Sequence, residues 1–431
     1  MPSLHDPVAL GGVTLPNRLY RAPLLECAGN GPDTPAILRR KLEPAAASGV
    51  GLIFQGATIV RGEGGCAAPG MTRVHDPAFV SELTEVTDTI HDHGSHIFIQ
   101  LEHGGLRSME TWHAGYRAEH PNLTQLAVSK PPGFLRALDR LGVFSYTPHV
   151  LSTDEVYDLA ADFGRAAGHA VDAGYDGIHL AGANMGIIQQ FLSPYYNRRT
   201  DEFADGFRFL ETVYDEIRTH AGDVPLVTKI PAETAAPWFV RRKLSVEDGI
   251  ELAKRAANLG FDALVPVEVS TFWDMSIVRG RFPARAWHLE QLEPGYEEVF
   301  GGRMRARAVE MGNRLQARRF SDAEGWNESF CRTVRAAVDV PVLMEGGVRT
   351  RPQIDRLLSS GACDMAGMAR PFYAEPRLAA RLLADAESAV VCASCNNCTI
   401  PQVTGADGVC RTPSVLRRRG EFEHAGAYDP K

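Results

Sequence analysis

What most constrains this chain is an alternation: short apolar segments are separated, along nearly the whole length, by segments whose apolar residues recur at helical spacing. Eight strands are expected, at Leu19–Leu25, Gly51–Val60, His96–His103, Gly177–Ala183, Pro225–Pro231, Ala263–Ser270, Pro341–Gly347 and Met365–Arg370. Helices are expected between and after them, at Pro35–Ser48, Pro77–Gly94, Thr153–Gly174, Gly206–His220, Ser245–Gly260, Gly325–Val338, Pro352–Gly361 and Pro376–Ala389. The Thr153 hydroxyl is placed to cap its helix, with Asp154 and Glu155 in the first turn, and Gly260 and Gly361 stand where a helix ends on a left-handed glycine. Eight strands each followed by a helix predict an α/β fold, a closed (β/α)8 TIM barrel. An open doubly wound sheet would be expected to carry a glycine-rich turn after its first strand, and Ala22-Pro23-Leu24-Leu25 is not one.

Composition bounds the function. The 431 residues carry 53 Asp and Glu against 45 Lys and Arg, a formal charge of −8, which argues against a nucleic-acid binder. No run of about 18 apolar residues exists to span a membrane, and the start MPSLHDPVALGGV lacks the basic and apolar regions of a secretion signal, so a cytoplasmic protein is expected. Four of the eight cysteines fall within the last forty residues, a spacing suited to a metal rather than to a disulfide framework. Cys27, Cys66, Cys331 and Cys363 are expected to be small buried hydrophobes.

Two long insertions, Gly104–Ser152 and Thr271–Gly325, follow strand ends, where barrel loops build active sites, and are candidate lids. The second carries nine arginines between Arg279 and Arg319; they either face an anion or pair with local acids such as Glu297, Glu298 and Glu310 on a solvated helix. The last two strand ends, VPVLMEGGVRT and GACDMAGMARP, place Gly346, Gly347, Ala369 and Arg370 where a barrel commonly binds phosphate through backbone N–H groups and an arginine fork. Taken alone, the two glycines could equally make a tight turn and Arg370 pair with a neighbouring acid.

Four segments in order, LGGVTLPNRLYRAPL, IQLEHGG, QQFLSPYYNRRTDEF and MEGGVR with GMARP, resemble the old yellow enzyme family of flavin oxidoreductases, collinearly from about Pro7 to Pro371. The resemblance is nearest to the iron-sulfur branch that includes 2,4-dienoyl-CoA reductase and trimethylamine dehydrogenase. It implies FMN at the mouth of a barrel spanning 1–390, with Pro23, Leu24, Leu25 and the Gly56-Ala57 backbone against the flavin ring and Gln100 bonded to its pyrimidine edge. Lys229 stands where the family usually has Arg, beside the N1/C2-carbonyl edge, where a cation favours the anionic reduced flavin. An ion pair inside the barrel is the competing role for Lys229. Leu25 replaces the Thr or Cys that many relatives place near the flavin.

Cys392, Cys395, Cys398 and Cys410 follow the spacing C-x2-C-x2-C-x11-C in a cysteine-rich extension, 391–431. Four such thiolates suit one metal centre, and in the iron-sulfur branch a comparable set binds a [4Fe-4S] cluster; zinc, or cysteines without metal, stay open.

The departures from the family pattern bear on substrate. Ala181 and Asn184 stand where a His and an Asn or His bind the substrate carbonyl, and Gly186 stands where many ene reductases carry a proton-donating Tyr. Asn184 is the substrate-binding residue carried over intact. A replacement acid is sought among Glu26, His103, Tyr195, Glu268, Tyr146 and His288, and His179 is expected to be a satisfied core or interface histidine.

The expected activity is hydride transfer from reduced flavin to an activated C=C bond of a small molecule, with electrons from NAD(P)H or a reduced protein. The iron-sulfur relatives continue into a further nucleotide-binding region for which this chain has no room, so a separate redox partner is expected if a cluster is present. Amine or C–C dehydrogenation is the alternative, with Trp273, Trp287 and Tyr196 as part of an aromatic cage. A catalytically divergent barrel is the third reading, and a homo-oligomer is an expectation by family habit.

Overall fold

The computed structural model describes residues 2–142, 147–272 and 274–429. All eight expected strands form: β1 Leu19–Arg21, β2 Leu52–Ile59, β3 His96–Glu102, β4 Gly177–Leu180, β5 Leu226–Ala232, β6 Ala263–Glu268, β7 Leu343–Met344 and β8 Met365–Met368. They pair in parallel in the order β6-β5-β4-β3-β2-β1-β8-β7. A further bridge between Leu264 and Val342, with Leu264 N–H donating to Pro341 O at 3.0 Å, joins β6 to β7 and closes the ring. The chain is therefore a (β/α)8 barrel.

Strands covered on both faces read as unbroken apolar runs, and the burial divides by the pleat. Leu52 and Phe54 of β2 enter the inner cluster with Tyr20 and Phe98, while Ile53 joins the outer cluster against the helices. Tyr20, Phe54 and Phe98 meet edge to face, with centroids 5.6 and 5.8 Å apart, and fill the interior. An antiparallel hairpin, Val8–Leu10 with Val13–Leu15, adds Leu10 and Leu15 to the same inner cluster.

The barrel helices are α1 Thr34–Ala47, α2 Thr84–Asp92, α3 Thr153–Asp172, α4 Phe207–Ala221, α5 Val246–Leu259, α6 Glu328–Arg335, α7 Arg351–Ser359 and α8 Leu378–Ala384. Two local expectations change. The stretch Pro77–Gly94 is two helices broken at Leu83, because Asp76 caps a short first helix over Pro77–Glu82. The cap of α3 is Ser152, not Thr153: the Ser152 Oγ accepts from Glu155 N–H while the Glu155 carboxylate accepts from Ser152 N–H, a capping box one residue earlier. Gly260 ends α5 at φ 114°, as a left-handed terminator should.

After α8 the chain returns along the barrel. Val390 N–H donates to Arg349 O at 2.9 Å, and the cysteine segment then shares buried clusters with barrel residues: Cys398 with Leu24 and Tyr373, and Cys392 with Ala374 and Val415. Among the described residues no helix is long and apolar enough to cross a membrane.

Candidate active site

A cavity of about 770 Å³ opens at the C-terminal end of the strands, within the size range of cofactor and ligand sites. It gathers most of the residues named from sequence: Pro23, Leu24, Leu25, Ala57, Gln100, Ala181, Asn184, Lys229, Ala369 and Arg370. Gly346 and Gly347 line an adjoining cavity of about 120 Å³, which shares Asn184, Glu345, Ala369 and Arg370 with the larger one. Three arginines, Arg279, Arg349 and Arg370, face this smaller space against Asp322 and Glu345. Gly346 and Gly347 have φ of 101° and 78°, and a Cβ on them would stand 2.5 Å from the Trp326 ring and the Gly325 nitrogen respectively. Both positions need glycine for the strand to turn out into that cradle.

Lys229, on β5, forms an ion pair with Glu345 at the end of β7, so the internal ion pair does form, and both side chains line the larger cavity. Gln100 is held from behind: its amide nitrogen bonds His179 Nδ1 at 3.1 Å. His179 is fully buried, its ring tilted against Phe54 with centroids 4.6 Å apart, and its Nε2 has no partner among the described residues, so it is a core histidine satisfied at one nitrogen only. Burial, helped by Lys229, pushes its pKa well down and keeps the ring neutral.

Asn184 has φ 63°, and its carbonyl accepts from Arg107 Nη1 at 2.6 Å. Arg107 also approaches Glu102 at 3.4 Å. Sequence reasoning missed this pair, although Glu102 lies two residues after Gln100 on β3 and so shares its face, a period of two that was legible. Burial raises the Glu102 pKa despite the opposing charges of Arg107 and Lys229.

Among the described residues, none of the proposed replacement acids lines the cavity. Glu26 is buried against Arg21 at 2.7 Å, Glu268 accepts from Thr234, Tyr195 packs on Tyr196 and Phe272, and His288 is exposed beside Glu310. His103 is buried, with its pKa pushed down to about 3 by desolvation and by Arg61 and Arg73. Tyr146 and Trp273 lie outside the described residues. The aromatic cage is not assembled from its other members: Trp287 lines the cavity, but Tyr196 is buried in a separate cluster with its hydroxyl on Thr271 O.

Both insertions form walls of the cavity. Met109, Trp112, Phe134 and Leu135 come from the first, and Phe272, Asp274, Met275, Trp287 and Phe300 from the second. Several arginines of the second insertion are engaged within the protein: Arg319 binds the Ala235 and Ala236 carbonyls, Arg279 stacks on Trp326, Arg314 meets Glu310 and Phe282, and Arg285 binds the Arg411 carbonyl, while Arg305 faces the large cavity.

Cys392, Cys395, Cys398 and Cys410 line one small cavity together with Arg370, Asn396 and Thr412. Burial pushes the Cys398 thiol up to about 12 and raises Cys410 as well. Among the described residues no group of three or more His, Cys, Asp or Glu is arranged to hold a metal ion, so the four sulfurs share one place without forming a closed site. Among the described residues Arg370 pairs with no acid; it bonds Asn396 Oδ1 of the cysteine segment and Arg279 O, and it stands between the cysteine cavity and the two mouth cavities.

Residues 3–265 match the family described as NADH:flavin oxidoreductase / NADH oxidase. Two curated relatives are an NADH oxidase of Thermoanaerobacter brockii, 23% identical over 95% of this chain and 57% of that protein, and a cinnamate reductase of Clostridium sporogenes, 25% identical over 91% and 54%. This chain thus spans about half the length of the curated relatives it matches. The solved structure of histamine dehydrogenase from Rhizobium sp. 4-9 shares the fold, with a TM-score of 0.71 at 22% identity over 96% of this chain and 53% of that one.

Proposed function

Because the chain belongs to the NADH:flavin oxidoreductase / NADH oxidase family, we propose that it binds FMN at the barrel mouth and reduces an activated C=C bond of an apolar, aryl-bearing carbonyl compound. The observation that carries this reading is the pair of joined cavities. The large one suits a flat ring and a substrate, and the small one, faced by three arginines and two glycines held in left-handed turns, suits a phosphate.

Bound there, FMN would supply the hydride. Pro23, Leu24, Leu25 and Ala57 offer it an apolar wall, and Gln100, its nitrogen engaged by His179, keeps its carbonyl oxygen free to accept a bond from a ring N–H. Lys229 would face the N1/C2-carbonyl edge. Its cation is shared with Glu345, so it stabilises negative charge on the ring less than an unpaired arginine would. Asn184, set by its bond to Arg107, is the polar group available to orient a substrate carbonyl. Trp112, Phe134, Phe239 and Phe272 exclude water and favour an aromatic substituent. The name of the cinnamate reductase relative accords with that substrate class. An amine substrate is less well served, since Arg107, Lys229, Arg305 and Arg370 all line the large cavity.

Cys392, Cys395, Cys398 and Cys410 are proposed to hold a [4Fe-4S] cluster, supported by four sulfurs lining one cavity beside Arg370. NAD(P)H, or a separate redox protein, would be the electron source.

The test is an anaerobic absorbance spectrum of the purified protein with FMN, iron and acid-labile sulfide counted per chain. A stopped-flow panel of aryl enones and amines follows. Re-oxidation of reduced flavin by an enone supports the reading; bleaching of oxidised flavin by an amine alone replaces it with amine oxidation; absence of bound FMN after reconstitution removes it. Steady turnover with NADPH alone would dispense with the protein donor.

A further inference from the structure

Reduction of a C=C bond consumes a proton as well as a hydride, and the cavity offers few groups to give one. Among the described residues no His, Tyr or Cys lines it, and its carboxyls are Glu102, Asp274 and Glu345. Glu345 is taken by Lys229. Asp274 accepts from Ser276 N–H at 2.9 Å within the inserted loop.

Glu102 differs from both. It is only 5% exposed, at the end of β3 on the same face as Gln100, and it lines the cavity with Asn184 and Lys229. The contact the structure gives its carboxyl is Arg107 Nη1 at 3.4 Å, and that nitrogen makes its shorter bond, 2.6 Å, to Asn184 O. Position 186 points at the same spot. A Cβ built on Gly186 would stand 3.3 Å from Glu102 Oε1 and 3.6 Å from its Cγ, so the Glu102 carboxyl fills the space where a side chain at 186 would begin. The glycine and the acid are complementary: removing one side chain makes room for the other.

We propose that Glu102 is the proton donor to the substrate α-carbon. The inference rests on the flavin reading above. As hydride reaches the β-carbon, the double-bond pair forms a new C–H bond at the α-carbon with the Glu102 proton, and the carboxyl O–H bond breaks. The resulting carboxylate faces Arg107, and one proton from water restores the acid. The charged groups facing it are Arg107 from the following loop and Lys229 from β5, the latter paired with Glu345 at the end of β7. Burial favours the protonated form, so the donor persists to higher pH than an ordinary glutamate, and the rate falls as pH rises through its pKa.

The test uses reduced, FMN-loaded wild type and Glu102→Gln in single turnovers with an enone and with a nitroalkene, whose reduced form is a nitronate anion that survives in water without a proton. The variant is expected to keep its FMN content. Its re-oxidation by the enone should slow by about 10²–10⁴-fold. Re-oxidation by the nitroalkene should stay within a few-fold, with nitronate released and seen by its absorbance. In the flavin-free protein, the infrared difference between wild type and variant should show a protonated carboxyl above the ordinary glutamate range. Equal enone rates, an unchanged pH profile, or equal slowing with both substrates would overturn the proposal. Failure of the wild type to be re-oxidised by any activated alkene overturns the functional reading itself.

Discussion

Two regions of this molecule are built around a buried glutamate facing an arginine, and they use it in opposite ways. In the seam where the cysteine segment leaves the barrel, Glu375 is fully buried. Arg381 donates to its Oε1 through Nε at 2.9 Å and Nη2 at 2.6 Å, Tyr428 adds its hydroxyl at 2.9 Å, and Val391 N–H donates to Oε2 at 2.8 Å. At the barrel mouth, the carboxyl of Glu102 has, among the described residues, one long contact to Arg107. A carboxylate has about four lone-pair sites. Where four donors converge on the carboxylate, the group ties elements together; where one long contact is made and the group faces a cavity, it is available for chemistry. Saturation, rather than burial or the presence of an arginine, separates the two.

That comparison is open to direct attack. Glu375→Ala leaves Arg381 buried without its partner and frees both Val391 and Tyr428. The expected cost is about 3–5 kcal/mol, read as a lower denaturant midpoint. A loss no larger than that of a Glu102 variant would break the contrast.

Glu233 tests the middle ground. It is fully buried and accepts from Leu244 N–H at 2.8 Å, Gln189 Nε2 at 3.1 Å and Ser193 Oγ at 3.0 Å, with no arginine or lysine bonded to it among the described residues, and burial pushes its pKa up to about 7. Between the ordinary glutamate range and about 7 the native state holds a proton that the unfolded chain has lost. Stability therefore falls as pH rises through that window and levels off above it. Glu233→Gln should remove that slope, a change on the order of a few kcal/mol between acid and neutral pH, measured by denaturation at several pH values. A slope that survives in the variant assigns it to another group.

The smallest expected effect sharpens the contrast most. Glu102→Gln should change stability by about 1 kcal/mol or less, because Arg107 keeps its bond to the Asn184 carbonyl. Calorimetry of the two variants side by side decides whether the mouth glutamate is dispensable to the fold.

The eight strands were legible because a parallel barrel buries both faces of each strand, which writes a continuous apolar run into the chain. The break at Leu83 was not, since the helical period continues across it and only the cap at Asp76 shortens the first helix. In the site, Gln100, Lys229 and Arg370 were found from motifs that lie along the chain. Glu102 had a signal, its spacing from Gln100, that went unread. The pairing of Lys229 with Glu345 had none, because those residues are 116 positions apart and meet only when the barrel closes.

By itself, then, the sequence determined the order of strands and helices, the glycines that must turn at the seventh strand end, and the gathering of candidate residues at the C-terminal ends of strands, because each follows from local periodicity and backbone sterics. Only the tertiary structure decided which charges neutralise one another and which are left free. Lys229 is balanced by Glu345, Arg107 is drawn to the Asn184 carbonyl, and the space at Gly186 is filled by Glu102. Electrostatic partnership acts through space between strand ends far apart in the chain, and no local pattern records it.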